Sequence, residues 1–388
     1  MTRPAIYDAR DRTDYDPQRN GESTFEFFNR VAGAYWEQSR ALHQAWAENV
    51  GDPNYADVRA ALRSDNAQAR SAFLELFLHQ SLLGAGYRVL IHPEVPRSSH
   101  RPDFLVQSDA GAFYVEAIVP GTSKAQQARA SREADLLAAL DQVGDPNFLL
   151  VTVDIQQSLH SAPGANFRQQ IRDWLATLDP DQVDLAGLPT LTLVRGDWSV
   201  TIEAWPRRER SRGEKTRSIG MYAHAPAEFI DDGRKLVAAL KSKASRYGDL
   251  DAPFVIAVGM YTFDEDDEDL HNALYGSTAW VVDEPGPDGR SETRGIRNHD
   301  GYFGSPAGWR NRRVSGVLVV DQLSLHDPTR ARVTLWPHPD PLHPLPPESL
   351  FPGTVREWDG EKVAKRAGRD VRTLLGLPES WPEGDPWK

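Results

Sequence analysis

The chain of 388 residues contains no cysteine. That absence excludes disulfide scaffolding, thiolate zinc sites and iron–sulfur clusters, and gives no sign of an oxidising compartment. No apolar run approaches the roughly 20 residues needed to cross a bilayer. The opening stretch MTRPAIYDARDRTDYDP carries charges where a secretory signal has an apolar core. A cytoplasmic protein with no membrane partner is the expectation. Lysine is scarce, with 8 lysines against 36 arginines. A lysine at any chosen position is therefore a rare event, on the order of 2% by composition. An excess of positive charge is missing too: 44 basic residues face 56 acidic ones, for a net charge of −12. That balance argues against a protein that coats nucleic acid, but a local basic cleft is enough for an enzyme that cleaves it.

The length suits one large domain with insertions, or two domains. Residues 1–22 are polar and read as poorly ordered. Thr24 to Asn49 has apolar residues at helical spacing, and a second helix runs from about Gln68 to Leu83 before Gly84 and Gly86. YRVLIHP then reads as a strand. The stretch RPDFLVQSDAGAFYVEAIVP, residues 101–120, reads as two strands joined by a tight turn. A polar, Ala-rich helix at 123–140 precedes the buried-type strand FLLVTVDI. Beyond a helix around Trp174, TLTLVRGDWSVTIEAW predicts a hairpin turning at Gly196-Asp197. The helix DDGRKLVAALKSKASRY ends at Gly248, before the short apolar strand FVIAVGM. The acidic run at 264–269 reads as a solvated surface loop. VSGVLVVDQL and RVTLWP predict two more strands, and a Pro-rich tail follows with one late helix near 361–375. No internal repeat is present.

Three acids stand out. Glu75, in SAFLELFLHQSLL, is a carboxylate on a helix that is apolar over most of its circumference. It either pairs with an arginine or snorkels outward, or it faces a polar site at the edge of a sheet. Asp103 heads one strand of the 101–120 pair, and Glu116 lies near the end of the other. Tyr114, Glu116 and Ile118 share one strand face by the two-residue alternation. A hairpin across SDAGA can bring Asp103 and Glu116 within a few ångströms, where two like charges repel unless a divalent cation lies between them. Mg²⁺ suits such a site, with Mn²⁺ as the alternative ion and the main-chain carbonyl of Ala117 as a third ligand. The bland reading is two exposed strand-end acids.

A helix, a strand, Pro102-Asp103 and then Glu116 in YVEAI resemble the PD-(D/E)xK nuclease superfamily, over roughly residues 68–120 with a further helix and strand. The resemblance implies a restriction-endonuclease-like α/β fold, a mixed sheet flanked by helices, and Mg²⁺-dependent hydrolysis of phosphodiester bonds. It also implies a site lysine that orients the attacking water, and here the sequence departs from the pattern: that position is Ile118. Some members carry the missing group on a following helix, with a Q-x-x-x-Y variant. Here Lys243-Ala-Ser-Arg-Tyr247 stands in a stripe with Leu236 and Leu240, at i, i+4, i+7 and i+11. The leucines must face the sheet, which carries Lys243 and Tyr247 inward; Lys241 is a second candidate. The other reading of Lys243 is a packed stem with its ammonium in solvent.

The loop RRERSRGEKTR places Arg207, Arg208, Arg210, Arg212, Lys215 and Arg217 beside Trp205, which suits phosphate contact and base stacking as well as it suits a solvated loop. His338, Asp340 and His343 are close in sequence, but the surrounding prolines forbid the helical presentation that zinc enzymes use.

The expected architecture is a helical extension at 1–66, a core at 67–260 with an α+β insertion at about 145–224, and a β- and loop-rich region at 261–388 packed on that core. Either the 123–140 helix leads into FLLVTVDI as the crossover, or the 232–247 helix leads into FVIAV. The second is preferred because it puts Lys243 at the acids. The expected function is a nuclease with catalytic Glu75, Asp103, Glu116, Lys243 and Tyr247, acting on nucleic acid, with DNA the expected form and a homodimer a further expectation. Two other readings stand beside it: a catalytically degenerate member that binds nucleic acid or a protein, and a metal-free scaffold using its aromatic N-terminal helix.

Overall fold

The computed structural model describes residues 3–96, 98–121, 124–213, 218–220, 232–262, 267–282, 293–346, 353–360 and 362–386. In chain order the helices are α1 (Thr24–Arg30), α2 (Ala34–Asn49), α3 (Asn54–Leu62), α4 (Asn66–Gly84), α5 (Lys124–Asp141), α6 (Gly164–Leu175), α7 (Asp232–Lys243), α8 (Glu268–Tyr275) and α9 (Val371–Leu375). The strands of the first half are β1 (Arg88–Ile91), β2 (Phe104–Ser108), β3 (Gly111–Ile118), β4 (Phe148–Gln156), β5 (Thr190–Arg195), β6 (Trp198–Pro206) and β7 (Ile219–Gly220). Those of the second half are β8 (Phe254–Met260), β9 (Thr278–Val282), β10 (Thr293–Arg297), β11 (Gly304–Ser305), β12 (Gly308–Trp309), β13 (Gly316–Asp321), β14 (Arg332–Pro337), β15 (Thr354–Trp358) and β16 (Val363–Ala367). The protein is mixed α/β and forms two compact units: Met1–Tyr15, Thr24–Gly121 and Asp231–Lys388 in the first, Asp16–Ser23 and Thr122–Ile230 in the second.

The first unit holds an eight-stranded mixed sheet in the order β1-β2-β3-β8-β13-β14-β15-β16. Its central strands β8 and β13 read FVIAVGM and GVLVVD, and every residue of both is buried. Continuous apolar runs of this kind belong to strands covered on both faces. One face packs on α4 through Phe73, Phe77, Val115, Val255 and Leu318. The other packs on α7 and α8 through Leu236, Leu240, Leu274, Ile256 and Val258. β3 runs antiparallel to β2 and parallel to β8. The neighbour of β3 is thus the strand that follows α7, whereas β4 belongs to the other unit's sheet.

α4 is apolar nearly all round, and such a helix is a buried one. Its start is fixed by Asp65, whose side chain accepts from the amides of Ala67 and Gln68, both at 2.9 Å. The helix expected from Thr24 to Asn49 is broken into α1 and α2, because Gly33 has a φ of 107° between them.

The second unit holds a sheet in the order β5-β6-β4-β7 with α5 and α6 on one face. Leu136, Leu140, Phe167 and Ile171 of the helices meet Phe148, Leu150, Val200 and Ile202 of the strands. Gly164 lets the two helices approach closely, since a Cβ there would lie 2.4 Å from that of Ala139.

Several expectations change. The longer segment of the second unit, Thr122–Ile230, starts ahead of the expected boundary near 145, because the apolar face of α5 is buried in that unit's core. Within residues 261–388, β13 to β16 extend the main sheet, while α8 packs on one of its faces. The late helix near 361–375 is a strand, β16, followed by the short α9. The N-terminal segment is ordered from residue 3: Ile6 is fully buried, and the Tyr7 hydroxyl lies 2.6 Å from Nδ1 of His43. In the acidic run, Glu268 and Asp269 form the first turn of α8, where the helix dipole favours negative charge; residues 264–266 lie outside the described residues.

Candidate active site

The site lies at one end of the β2–β3 hairpin. The register pairs Phe104 with Val115, so one further step sets Asp103 opposite Glu116. Directly opposed residues of an antiparallel pair share a face, with Cβ atoms about 5 Å apart. Asp103 is held in this extended path because His92 donates its amide to the Asp103 carbonyl at 2.9 Å. The Asp103 side chain accepts from the Ala117 amide at 2.6 Å.

Glu116 is 2% exposed. Its Oε1 accepts from the Lys243 ammonium and its Oε2 from the Tyr247 hydroxyl, both as short contacts. Lys243 lies 127 residues further along the chain. It is the last residue of α7, and Tyr247 stands in the turn that follows, before Gly248 at a φ of 69°. Leu236 and Leu240 are fully buried against the sheet, and that anchoring carries the end of the helix over Glu116. Ile118 packs into the same apolar cluster. Tyr247 is fixed further by an edge-on contact with Phe254, ring centroids 5.7 Å apart, and its hydroxyl lies 3.4 Å from the Arg101 carbonyl.

Glu75 projects from α4 into the field of this group. Burial first, then the charges of Asp103 and Glu116, push its carboxyl up to about 8, with Lys243 opposing them. Burial followed by the Glu116 charge pushes Asp103 up to about 7, against the Ala117 amide, Lys243 and Arg246. The Tyr247 hydroxyl is raised as well, by burial and then by its bond to Glu116. Burial and the like charge of neighbouring carboxylates therefore disfavour the charged forms of Glu75 and Asp103. Among the described residues, no three His, Asp or Glu side chains converge tightly enough to enclose an ion by themselves. The donor set that fits a hard divalent cation is Asp103 and Glu116 with the Ala117 main chain and water, because such ions bind through one or two carboxylates and keep several waters.

The structure thus brings Glu116, Lys243 and Tyr247 together beside Asp103, with Glu75 within their electrostatic reach. Lys241 is exposed. Arg246 escaped the sequence reading: its guanidinium lies 3.7 Å from Glu116 Oε1, with its side chain 44% exposed. Its position three residues after Lys243 is the signal that was available.

The arginine loop belongs to the second unit. Arg207 donates from its side chain to the Phe148 carbonyl at 3.2 Å, and Arg212 pairs with Asp181 at 2.8 Å. Both therefore brace the loop. Arg208 and Arg210 are exposed, as is Trp205 at 40%. Lys215 and Arg217 lie outside the described residues. The His338 group is structural: its Nε2 lies 2.7 Å from the Arg310 carbonyl and its Nδ1 accepts from the Asp340 amide at 3.0 Å, so neither ring nitrogen is left for a metal.

Compared with known protein families, with characterised proteins and with solved structures, the chain matches none.

Proposed function

We propose that the chain is a metal-dependent phosphodiesterase built on a restriction-endonuclease-like core, and that it cleaves nucleic acid, DNA in the first instance. One observation carries this reading: a lysine ammonium from α7 meets a buried Glu116 carboxylate directly opposite Asp103, at the strand position beside Ile118. Mg²⁺, or Mn²⁺ in its place, would be held by Asp103, Glu116 and the Ala117 carbonyl; it polarises a phosphoryl group and lowers the pKa of a bound water. Lys243 supplies preorganised positive charge to the oxygens on which negative charge grows. Tyr247 fixes the second oxygen of Glu116 and so the orientation of the carboxylate. Glu75, with its carboxyl held up near neutral pH, is suited to exchanging a proton with water or the leaving oxygen. Arg208, Arg210 and Trp205 offer a second surface for phosphate and base contact.

A second reading is a nuclease-like protein that binds nucleic acid without cutting it. The observation in its favour is that both oxygens of Glu116 already have protein partners. Glu116→Ala separates the two. In the enzyme, Mg²⁺-dependent cleavage of a labelled duplex or single strand is lost while binding in EDTA persists. A wild-type chain with no Mg²⁺-dependent cleavage, and no change in melting temperature on adding Mg²⁺ or Mn²⁺, would sink the enzyme.

A further inference from the structure

A cavity of about 270 Å³ lies between α3, α4 and the β1–β2 edge of the first unit, and Glu75 forms part of its wall. It adjoins the acid centre in a second way, since His92 lines it and donates its amide to the Asp103 carbonyl. The volume falls just below the roughly 300–1,000 Å³ of pockets for drug-sized ligands, which suits a single ring system. Apolar walls come from Val58, Ile91 and Phe104, and neutral hydrogen-bonding groups from Asn54, Gln68 and Ser71. Its described lining holds the acids Asp57 and Glu75 and no lysine or arginine, so it offers a phosphate no counter-charge and admits a neutral ligand. His79, one turn beyond Glu75, is 4% exposed and its Nδ1 has no hydrogen-bond partner among the described residues. A buried imidazole nitrogen left unsatisfied in a cavity wall is an unusual cost for a protein to carry. His92 has a φ of 48°, a conformation that non-glycine residues seldom adopt outside sites that require it.

We propose that this cavity seats one unpaired nucleobase, so that the substrate is cut beside an unstacked nucleotide. The inference rests on the nuclease reading and adds the form of the substrate. A base has flat apolar faces for Val58 and Phe104 and a neutral donor–acceptor edge for the amide and hydroxyl groups, while its own phosphate stays outside, towards the acids. A base that is already unpaired enters at little cost, whereas one in a duplex must first be unstacked, which costs a few kcal/mol.

The test uses the full chain with Ca²⁺ replacing Mg²⁺ and dye-labelled oligonucleotides containing one 2-aminopurine, either unpaired or in a duplex. Deoxy and ribo forms make separate arms that identify the sugar. Dye anisotropy reports binding, and 2-aminopurine emission, which rises when the base leaves the stack, reports insertion. For the unpaired base, emission is expected to rise about twofold or more on binding. Filling the cavity with Ala61→Phe, or more gently with Ser71→Leu, is expected to remove the rise while anisotropy still reports binding. Binding with unchanged emission in the wild type, or a rise that survives both substitutions, overturns this inference alone. Absence of any oligonucleotide binding overturns the nuclease reading with it.

Discussion

The acid centre of the first unit and the arginine loop of the second carry opposite charges in opposite settings. Glu116 is removed from water, and burying a carboxylate costs several kcal/mol unless hydrogen bonds and counter-charge compensate it. Its environment is accordingly built in detail, with an ammonium on one oxygen and a hydroxyl on the other. Arg208 and Arg210 remain in solvent, where a charge costs almost nothing and is held in no fixed direction. Their neighbours Arg207 and Arg212 do have fixed directions, and these are accounted for by a main-chain carbonyl and Asp181. The buried cluster therefore says much more about chemistry than the exposed one, although the loop is the more conspicuous in sequence.

The contrast can be broken most forcefully at Lys243. Lys243→Ala is expected to slow Mg²⁺-dependent cleavage by about 10²–10³-fold, the usual cost of losing one preorganised donor. Wild-type rates from this variant would show that the α7 ammonium does not replace the lysine absent at Ile118. Glu75 gives the next largest effect, read as stability against pH. Its folded-state carboxyl lies near 8, above the ordinary value of 4.5, so the folded protein holds a proton there that the unfolded chain releases. That contribution is complete below about pH 4.5 and is lost as pH rises towards 8. Asp103, raised in the same direction, adds to it. In chelator, the melting temperature of the wild type should fall by several degrees from pH 5 to 8, and Glu75→Gln should flatten the profile. A fall just as steep in the variant would remove Glu75 from the acid group.

The smallest effect belongs to the loop. Arg208→Ala with Arg210→Ala should weaken nucleic-acid binding only a few-fold and lower the salt slope by about 1 for each phosphate that is no longer neutralised. Titrations at several salt concentrations measure both. A complete loss of binding would reverse the ranking of the two regions.

Asp103 and Glu116 were legible because the chain between them is a short hairpin. Once FLVQS and GAFYVEAI are read as strands, register and alternation place the acids together. The α7 stripe was legible because Leu236 and Leu240 had to be buried, and a helix has fixed angular spacing. β15 and β16 were not legible. β16 reads VAKRA at the edge of the sheet and is largely exposed, so it has no apolar alternation to betray it. The N-terminal segment misled because its residues are polar as a group, whereas Ile6 and Tyr7 dock it in the core.

What the sequence by itself determined is everything that depends on short range: the Pro102-Asp103 and Glu116 pairing, the apolar circumference around Glu75, and the inward face of α7. Those follow from periodicities within a single element or a single turn. Only the tertiary structure decided that Lys243 and Tyr247 clasp Glu116, that Arg246 stands beside them, and that a cavity opens next to Glu75. The first two depend on β8 pairing in parallel with β3, which sets α7 over the hairpin from more than a hundred residues away, and the cavity depends on α3 and α4 packing against the β1–β2 edge. Hydrophobic burial on both faces of that sheet drives the pairing, and it acts on contacts that local spacing does not encode.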